Sequence, residues 1–123
     1  MYYVSKRMEI AGAHRLNLDY ESACKRIHGH NWYITVYCRA NELNHNGMIV
    51  DFKKVKECIH GKLDHQFVNE VLPGINPTAE NIAKWCFDEV NKVCGKCLND
   101  GDGECYKVSV QESEGNIAIY EIN

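Results

Sequence analysis

Two stretches that alternate apolar and polar residues flank a central region with helical spacing, and this order strongly constrains the fold. A period of two is typical of half-buried strands, whereas a recurrence every three to four residues indicates amphipathic helices. The predicted strands are 3–16, 27–40, 106–112 and 117–122, and the predicted helices are 52–62 and 79–97. The order ββααββ predicts an α+β fold, an antiparallel four-stranded sheet with two helices on one face.

Composition and charge narrow the class of protein. A chain of 123 residues, 45% hydrophobic and 25% charged, has the size and composition of one globular domain, 1–123. The net charge of −3 disfavours nucleic-acid binding. No apolar run approaches the roughly 20 residues of a membrane span. The first ten residues also lack the apolar segment of a signal peptide. We therefore expect a cytoplasmic protein that binds neither nucleic acid nor membrane.

Three histidines are predicted to lie on the covered face of the first two strands. His28 and His30 are two residues apart, so they project from the same face of a strand, in phase with Trp32. His14 is in phase with the apolar residues of the first strand. Three imidazoles with an open fourth position are typical of a catalytic zinc site. The alternative is three unrelated histidines, each with its own hydrogen bonds.

Two further positions offer groups that can move protons. Cys24 lies four residues before His28, where a nearby metal or imidazolium would stabilise its thiolate; the alternative is an incidental loop cysteine. Asp64 and His65 place a carboxylate beside an imidazole, and the carboxylate can fix the tautomer of the histidine and raise its basicity. Because adjacent strand residues point to opposite faces, this pair can serve one site only from a loop or from different subunits.

Glu112 is predicted to carry a carboxylate to the covered side of the sheet, because it is in phase with Val108 and Val110. A buried carboxylate is costly unless it is paired. A partner with two adjacent N–H donors would satisfy it bidentately, and an internal salt bridge is the alternative.

The second helix is predicted to begin after Thr78, a good N-cap, with Glu80 in its first turn. Near its other end, the cysteines at 94, 97 and 105 resemble part of a zinc ribbon. Cys97 also fits the apolar face of this helix, which we consider the better interpretation. Seven cysteines at irregular spacing indicate reduced thiols rather than a disulfide framework.

Six short segments follow one another in order over nearly the whole chain. They are AGAHRL, CKRIHGHNW, MIVDF, LDHQFVN, NPTAENIAKW and VQES. Together they resemble the superfamily of 6-pyruvoyltetrahydropterin and 6-carboxytetrahydropterin synthases. The combination of HGH with an upstream Cys and a downstream LDH is specific. The short Cys-x3-His-Gly-His spacing resembles the bacterial 6-carboxytetrahydropterin synthase branch, since the pyruvoyl branch usually has a longer gap.

The resemblance implies a fold and an assembly. The superfamily has the T-fold, in which an antiparallel four-stranded sheet carries two helices on one face. Its subunits close into a barrel, typically as a dimer of trimers. We therefore expect a homohexamer with sites at subunit interfaces.

The resemblance also implies an activity and the residues that perform it. The reaction would convert 7,8-dihydroneopterin triphosphate to 6-carboxy-5,6,7,8-tetrahydropterin, releasing acetaldehyde and triphosphate, in queuosine and 7-deazapurine biosynthesis. The implied roles are zinc ligands at His14, His28 and His30, the catalytic base at Cys24, its relay at Asp64 and His65, the pterin anchor at Glu112, and substrate-proximal positions at Thr78 and Glu80. The alternatives are the 6-pyruvoyl reaction and a non-catalytic scaffold that binds zinc or a pterin.

Overall fold

The computed structural model describes residues 1–123, and its strands form one antiparallel sheet in the order β1-β2-β3-β4. The strands are β1 Tyr2–His14, β2 His28–Ala40, β3 Glu104–Ser113 and β4 Asn116–Glu121. The pairing of β1 with β2 runs without interruption along the whole length of both strands. The predicted number, order and direction of the strands are confirmed.

Two long helices lie on one face of this sheet, with a short helix after each of them. The helices are α1 Phe52–Leu63, α2 Val68–Val71, α3 Ala79–Asn91 and α4 Gly95–Leu98. α1 contacts β1, whereas α3 contacts β3 and β4. The hydroxyl of Thr78 accepts the N–H of Asn81 at 3.1 Å, which confirms the predicted N-cap of α3. No helix has both the length and the apolar character needed to cross a bilayer.

The core lies between the helices and the covered face of the sheet. In β2 the covered positions alternate with half-exposed ones, and all of them are at most 2% exposed: Trp32, Ile34, Val36, Cys38 and Ala40. Val108 and Val110 of β3 are fully buried on the same side. The predicted alternation therefore assigns the covered face correctly, because only one face of the sheet packs against helices.

The second helix is shorter than predicted. α3 ends at Asn91, whose side-chain amide binds β3 by accepting the N–H of Cys105 at 2.9 Å and donating to its carbonyl at 3.2 Å. The chain then turns, and α4 forms a separate short helix. Cys97 lies on α4 with an exposed side chain, so its predicted place on an apolar helix face is wrong. Cys94 and Cys105 are buried in the core.

Gly12 allows two other segments to approach β1 closely. A Cβ at this position would lie 3.0 Å from the carbonyl oxygen of Gln66 and 3.1 Å from Cζ3 of Trp32. The N–H of Ala13 donates to the same Gln66 carbonyl at 3.1 Å. The segment that follows α1 is therefore held against β1, where a larger residue than glycine would push it away.

Candidate metal centre and active site

The three histidines come together at one end of β1 and β2. His14 pairs with His28 in the strand register, and His30 follows on the same face of β2. One potential ligand atom from each side chain lies within 4.8 Å of the other two. His14 is fully buried, whereas His28 and His30 are half-buried. No other three His, Cys, Asp or Glu side chains of the chain are grouped in this way.

Two of the imidazoles have tautomers fixed by main-chain oxygens. Nδ1 of His14 lies 2.8 Å from the carbonyl oxygen of Pro77, and Nδ1 of His28 lies 2.8 Å from that of Arg26. Because a carbonyl oxygen only accepts, each Nδ1 carries the proton when the ring is neutral. The Nε2 lone pairs of both rings remain available, which is how metal-ligating histidines are usually oriented.

The chemistry of this cluster fits a metal ion. Nε2 of His14 is buried and has no hydrogen-bond partner within the chain. Burial is the main cause that lowers the pKa of His14 and of His30, so both rings favour the neutral form that binds metal. Three neutral imidazoles that leave a fourth position free are a donor set suited to a catalytic divalent cation.

Glu112 lies beside the histidine cluster, as its phase along β3 predicts. Its Oε1 is 3.5 Å from Nε2 of both His14 and His30, and no lysine or arginine pairs with it. If Glu112 forms an internal salt bridge, which is the alternative stated above, its partners in the chain are these two imidazoles. Glu112 also lines an open cavity of about 410 Å³ together with Glu80 and the first residues of β4. The cavity begins next to Thr78, at Ala79.

Cys24 lies on the connection between the two histidine-bearing strands. It is the middle residue of a short helical turn, Ala23–Lys25, where its N–H donates to the hydroxyl of Ser22 at 3.2 Å. Its carbonyl accepts the N–H of Leu16 at 2.8 Å, two residues beyond His14. The half-buried thiol makes no hydrogen bond within the chain. The turn that carries Cys24 is therefore held to the segment that follows β1.

Asp64 and His65 form a pair, and neither makes a hydrogen bond with Cys24 within the chain. Asp64 follows α1 and accepts the N–H of Ala11 at 3.0 Å. His65 has a positive φ of 58°, which turns its ring back so that Nε2 lies 3.5 Å from Oδ2 of Asp64. The ring is 81% exposed. Neither side chain forms an ion pair with Glu112 or a hydrogen bond to the histidine cluster; the His65 ring faces outward, whereas Asp64 is half-buried.

One partner of this pair is missed by the sequence interpretation. Nε2 of His60 lies 3.4 Å from Oδ2 of Asp64, so the carboxylate is shared between two imidazoles. The signal is present in the sequence as an i,i+4 spacing at the end of a predicted helix.

Relatives with assigned names cover most of the chain. A 6-carboxy-5,6,7,8-tetrahydropterin synthase of Bacillus subtilis is 28% identical over 97% of this chain and 84% of its own length. A protein of Pyrococcus abyssi with the same name, qualified as putative, is 42% identical over 75% of each chain. The human 6-pyruvoyl tetrahydrobiopterin synthase is 30% identical over 96% of this chain and 90% of its own length.

Solved structures share the architecture. The 6-pyruvoyl tetrahydropterin synthase of Caenorhabditis elegans matches with a TM-score of 0.74 at 24% identity, covering 99% of this chain and 96% of that one. The Plasmodium falciparum enzyme of that name matches with a TM-score of 0.70 at 19% identity over 97% and 96% of the two chains. These matches show the T-fold. The sequence profile described as 6-pyruvoyl tetrahydropterin synthase matches residues 3–123, and the chain therefore belongs to this family.

Proposed function

We propose that this protein is a zinc-dependent lyase that converts 7,8-dihydroneopterin triphosphate to 6-carboxy-5,6,7,8-tetrahydropterin, releasing acetaldehyde and triphosphate for 7-deazapurine (queuosine) biosynthesis. The observation that carries the proposal is the convergence of three imidazole nitrogens with an unpartnered His14 Nε2 beside the Glu112 carboxylate. The bacterial relatives that bear the carboxy-synthase name support this reaction, as does the short gap between Cys24 and His28.

In this proposal His14, His28 and His30 hold zinc, with the Nδ1–H of His14 and of His28 fixed by carbonyl oxygens. A zinc ion held by these three imidazoles would supply Lewis acidity toward an oxygen of the substrate side chain. The cluster lies at one end of β1 and β2. Glu112 connects it to the cavity that Glu80 also lines. The pterin ring and the side chain of the substrate can therefore be held by different groups of one site.

Cys24 acts as the base in the proposed mechanism. Its thiol has no hydrogen-bond partner within the chain and so is free to exchange a proton with the substrate side chain. Asp64 orients His65 through their 3.5 Å contact, and the imidazole moves a proton at its own ring nitrogen. Glu112 binds the ring, because two carboxylate oxygens match the amino group and the adjacent ring N–H of a pterin. Thr78 and Glu80 lie at the start of α3 and would be close to this ring, since Glu80 lines the same cavity as Glu112.

We infer that the active protein is a homohexamer, a dimer of trimers with sites at the subunit interfaces. The outward position of His65, 81% exposed and paired only with Asp64, supports a relay that serves the Cys24 of a neighbouring subunit. The sheet has two unpaired edges, β1 and β4, through which such subunits would pair. Ile117 and Ile119 on β4 are more than half exposed in one chain, and pairing would cover them.

The 6-pyruvoyl reaction is the second candidate, and the similarity to the human enzyme over 96% of the chain favours it. Product analysis separates the two. The zinc-loaded protein is incubated with 7,8-dihydroneopterin triphosphate, and acetaldehyde, triphosphate and the pterin products are quantified. The proposal expects acetaldehyde and 6-carboxytetrahydropterin in equal amounts. Triphosphate and a 6-pyruvoyl product without acetaldehyde would assign the other reaction, and bound pterin without turnover would indicate a scaffold.

A further inference from the structure

The indole of Trp32 presents a buried N–H that has no acceptor in the chain. The side chain is 1% exposed, and its Nε1 is one of two buried side-chain polar atoms without a hydrogen-bond partner, the other being Nε2 of His14. Buried polar groups are nearly always hydrogen-bonded, because an unsatisfied donor loses its water and gains nothing. An N–H left without an acceptor beside a candidate active site indicates that its acceptor belongs to the working state of that site.

The ring lies directly behind the histidine cluster. Its centroid is 5.0 Å from that of His14, with the two planes perpendicular, and 5.3 Å from that of His30. The Cζ3 edge of the indole faces β1, where it would touch a Cβ at Gly12. Since Nε1 is on the opposite edge of an indole from Cζ3, the N–H points away from Gly12.

β3 presents Glu112 to the same two imidazoles that the indole contacts. The register of β2 with β3 ends at Tyr33 and Gln111, so Trp32 and Glu112 are the next residues of the two strands, and the pairing of β3 with β4 is irregular between Gln111 and Ser113. The Glu112 carboxylate accepts no hydrogen bond within the chain and only approaches two imidazoles at 3.5 Å. The neighbours that share this face of β3, Val108 and Val110, have no side-chain acceptor. An unpaired donor and an unpaired acceptor therefore lie against the same two imidazoles, those of His14 and His30.

We propose that Trp32 is a positioning residue for Glu112, and that its Nε1–H donates to the Glu112 carboxylate when that carboxylate binds the ring of a pterin. This role rests on the proposed function of the site. One carboxylate oxygen would then be turned toward the indole, and the carboxylate would be held in the plane that a two-point contact with the ring requires.

Trp32→Phe tests this role, because it removes the N–H and keeps an aromatic ring in the core. The affinity of the zinc-loaded variant for biopterin, a pterin without the triphosphate, should fall about ten-fold in calorimetry. Trp85→Phe, in α3, is the matched control and should bind biopterin with the affinity of the wild type. Thermal melts check that both variants fold. In turnover assays KM should rise with kcat less affected. Unchanged biopterin affinity in a folded Trp32→Phe would overturn the proposal.

A double variant shows whether Trp32 acts on pterin binding through Glu112. In Glu112→Ala the further change Trp32→Phe should cost less than two-fold in biopterin affinity, because the carboxylate it positions is gone. A full ten-fold loss in that background would mean that the indole contacts the ligand directly, which contradicts the proposal.

The indole signal gives a readout that does not depend on catalysis. The chain has two tryptophans, so a ¹⁵N-labelled sample has two indole N–H resonances, and Trp32→Phe assigns one of them. This resonance should move when biopterin is added to the zinc-loaded protein, and Glu112→Ala should abolish the movement. If the wild type binds no pterin, the proposed function fails. If biopterin binds to the wild type but the Trp32 resonance does not move, the proposed role of Trp32 is refuted and the proposed function stands.

Discussion

The Nδ1–H of His14 donates to the carbonyl oxygen of Pro77 across 2.8 Å, which joins the last residue of β1 to the residue before the N-cap of α3. The bond aims the Nε2 of His14 at the other two imidazoles, and nothing else in the chain satisfies that atom. The orientation of the buried ligand is therefore decided by a contact between residues 63 positions apart in sequence.

Removal of one imidazole should strip the metal. We expect His28→Ala to lower zinc affinity by more than about 100-fold while the protein stays folded, because two imidazoles remain and the core is untouched. Metal content after dialysis against a weak chelator measures this. His45→Ala is the control, since His45 is exposed and paired with Asp100 outside the cluster. Full zinc occupancy in a triple alanine variant at 14, 28 and 30 would show that the ligands are elsewhere.

Loss of the Cys24 thiol should affect turnover alone. General acid–base groups contribute about 10²–10⁴-fold in rate, so Cys24→Ala should lose activity in that range with zinc content unchanged. Cys97→Ala removes another accessible thiol and should leave the rate as it was. If Cys24→Ala turns over like the wild type, the thiol is not the base.

A mixture of two inactive variants should recover activity if the site spans two subunits. Cys24→Ala and His65→Ala each break every site in a homo-oligomer. Random assembly from an equal mixture leaves about a quarter of the sites with both groups intact. The two variants are unfolded, mixed and refolded together. The control sample contains both variants after separate refolding, so that their subunits are not exchanged. No recovery in verified mixed oligomers would place Cys24 and His65 in the same subunit.

Glu112→Gln should weaken pterin binding without changing zinc content. The variant keeps the shape of the side chain and exchanges one acceptor for a donor. Hydrogen bonds to a charged acceptor are worth about 1.5–3 kcal/mol, which corresponds to roughly a ten- to hundred-fold loss of affinity. Calorimetry with biopterin measures the effect. An unchanged affinity would mean that Glu112 serves only the imidazoles beside it.

The stability of the fold should depend on the ionisation of Glu89, away from the site. Burial of its carboxyl opposes ionisation, but hydrogen bonds from Lys92 and Lys62 outweigh that effect and lower its pKa. A group with a lowered pKa stabilises the folded state above its unfolded value, near 4.3, and the contribution is lost as the pH falls through the folded pKa. Glu89→Gln should therefore cost about 1–2 kcal/mol at pH 7 and much less at pH 3.

Urea unfolding at the two pH values checks this prediction, because the free energies of unfolding can be compared directly. Asp88→Asn, which removes an exposed pair with Lys84, should cost less than about 0.5 kcal/mol at either pH. A Glu89→Gln variant whose loss is equal at pH 7 and pH 3 would assign the effect to packing.

The sequence predicts the sheet and the histidine cluster because both depend on local periodicity. A strand with one covered face must alternate, so the phase of Trp32 with His30 and of Glu112 with Val110 can be read without coordinates. The Thr78 cap depends on three neighbouring residues and is predictable for the same reason. The proposed roles of the site residues remain predictions, since they depend on a substrate and on neighbouring subunits.

The features that the sequence does not predict depend on distant partners. α3 ends at Asn91 because the side chain of that residue binds the main chain of β3 at Cys105, and apolar spacing alone carries the prediction on to Cys97. The hydrogen bond from His14 to Pro77 and the unpaired indole of Trp32 likewise become visible only when elements far apart in the chain are packed.

Gly12 limits how this site can change during evolution. Trp32 and the carbonyl of Gln66 both lie where a side chain at position 12 would extend, and the next inward residue along the strand is His14. A substitution here would displace the indole behind the imidazoles and the loop that carries Asp64 in one step. Variants selected for a new substrate should therefore accumulate changes around the open cavity at Glu80 and β4, while position 12 stays glycine.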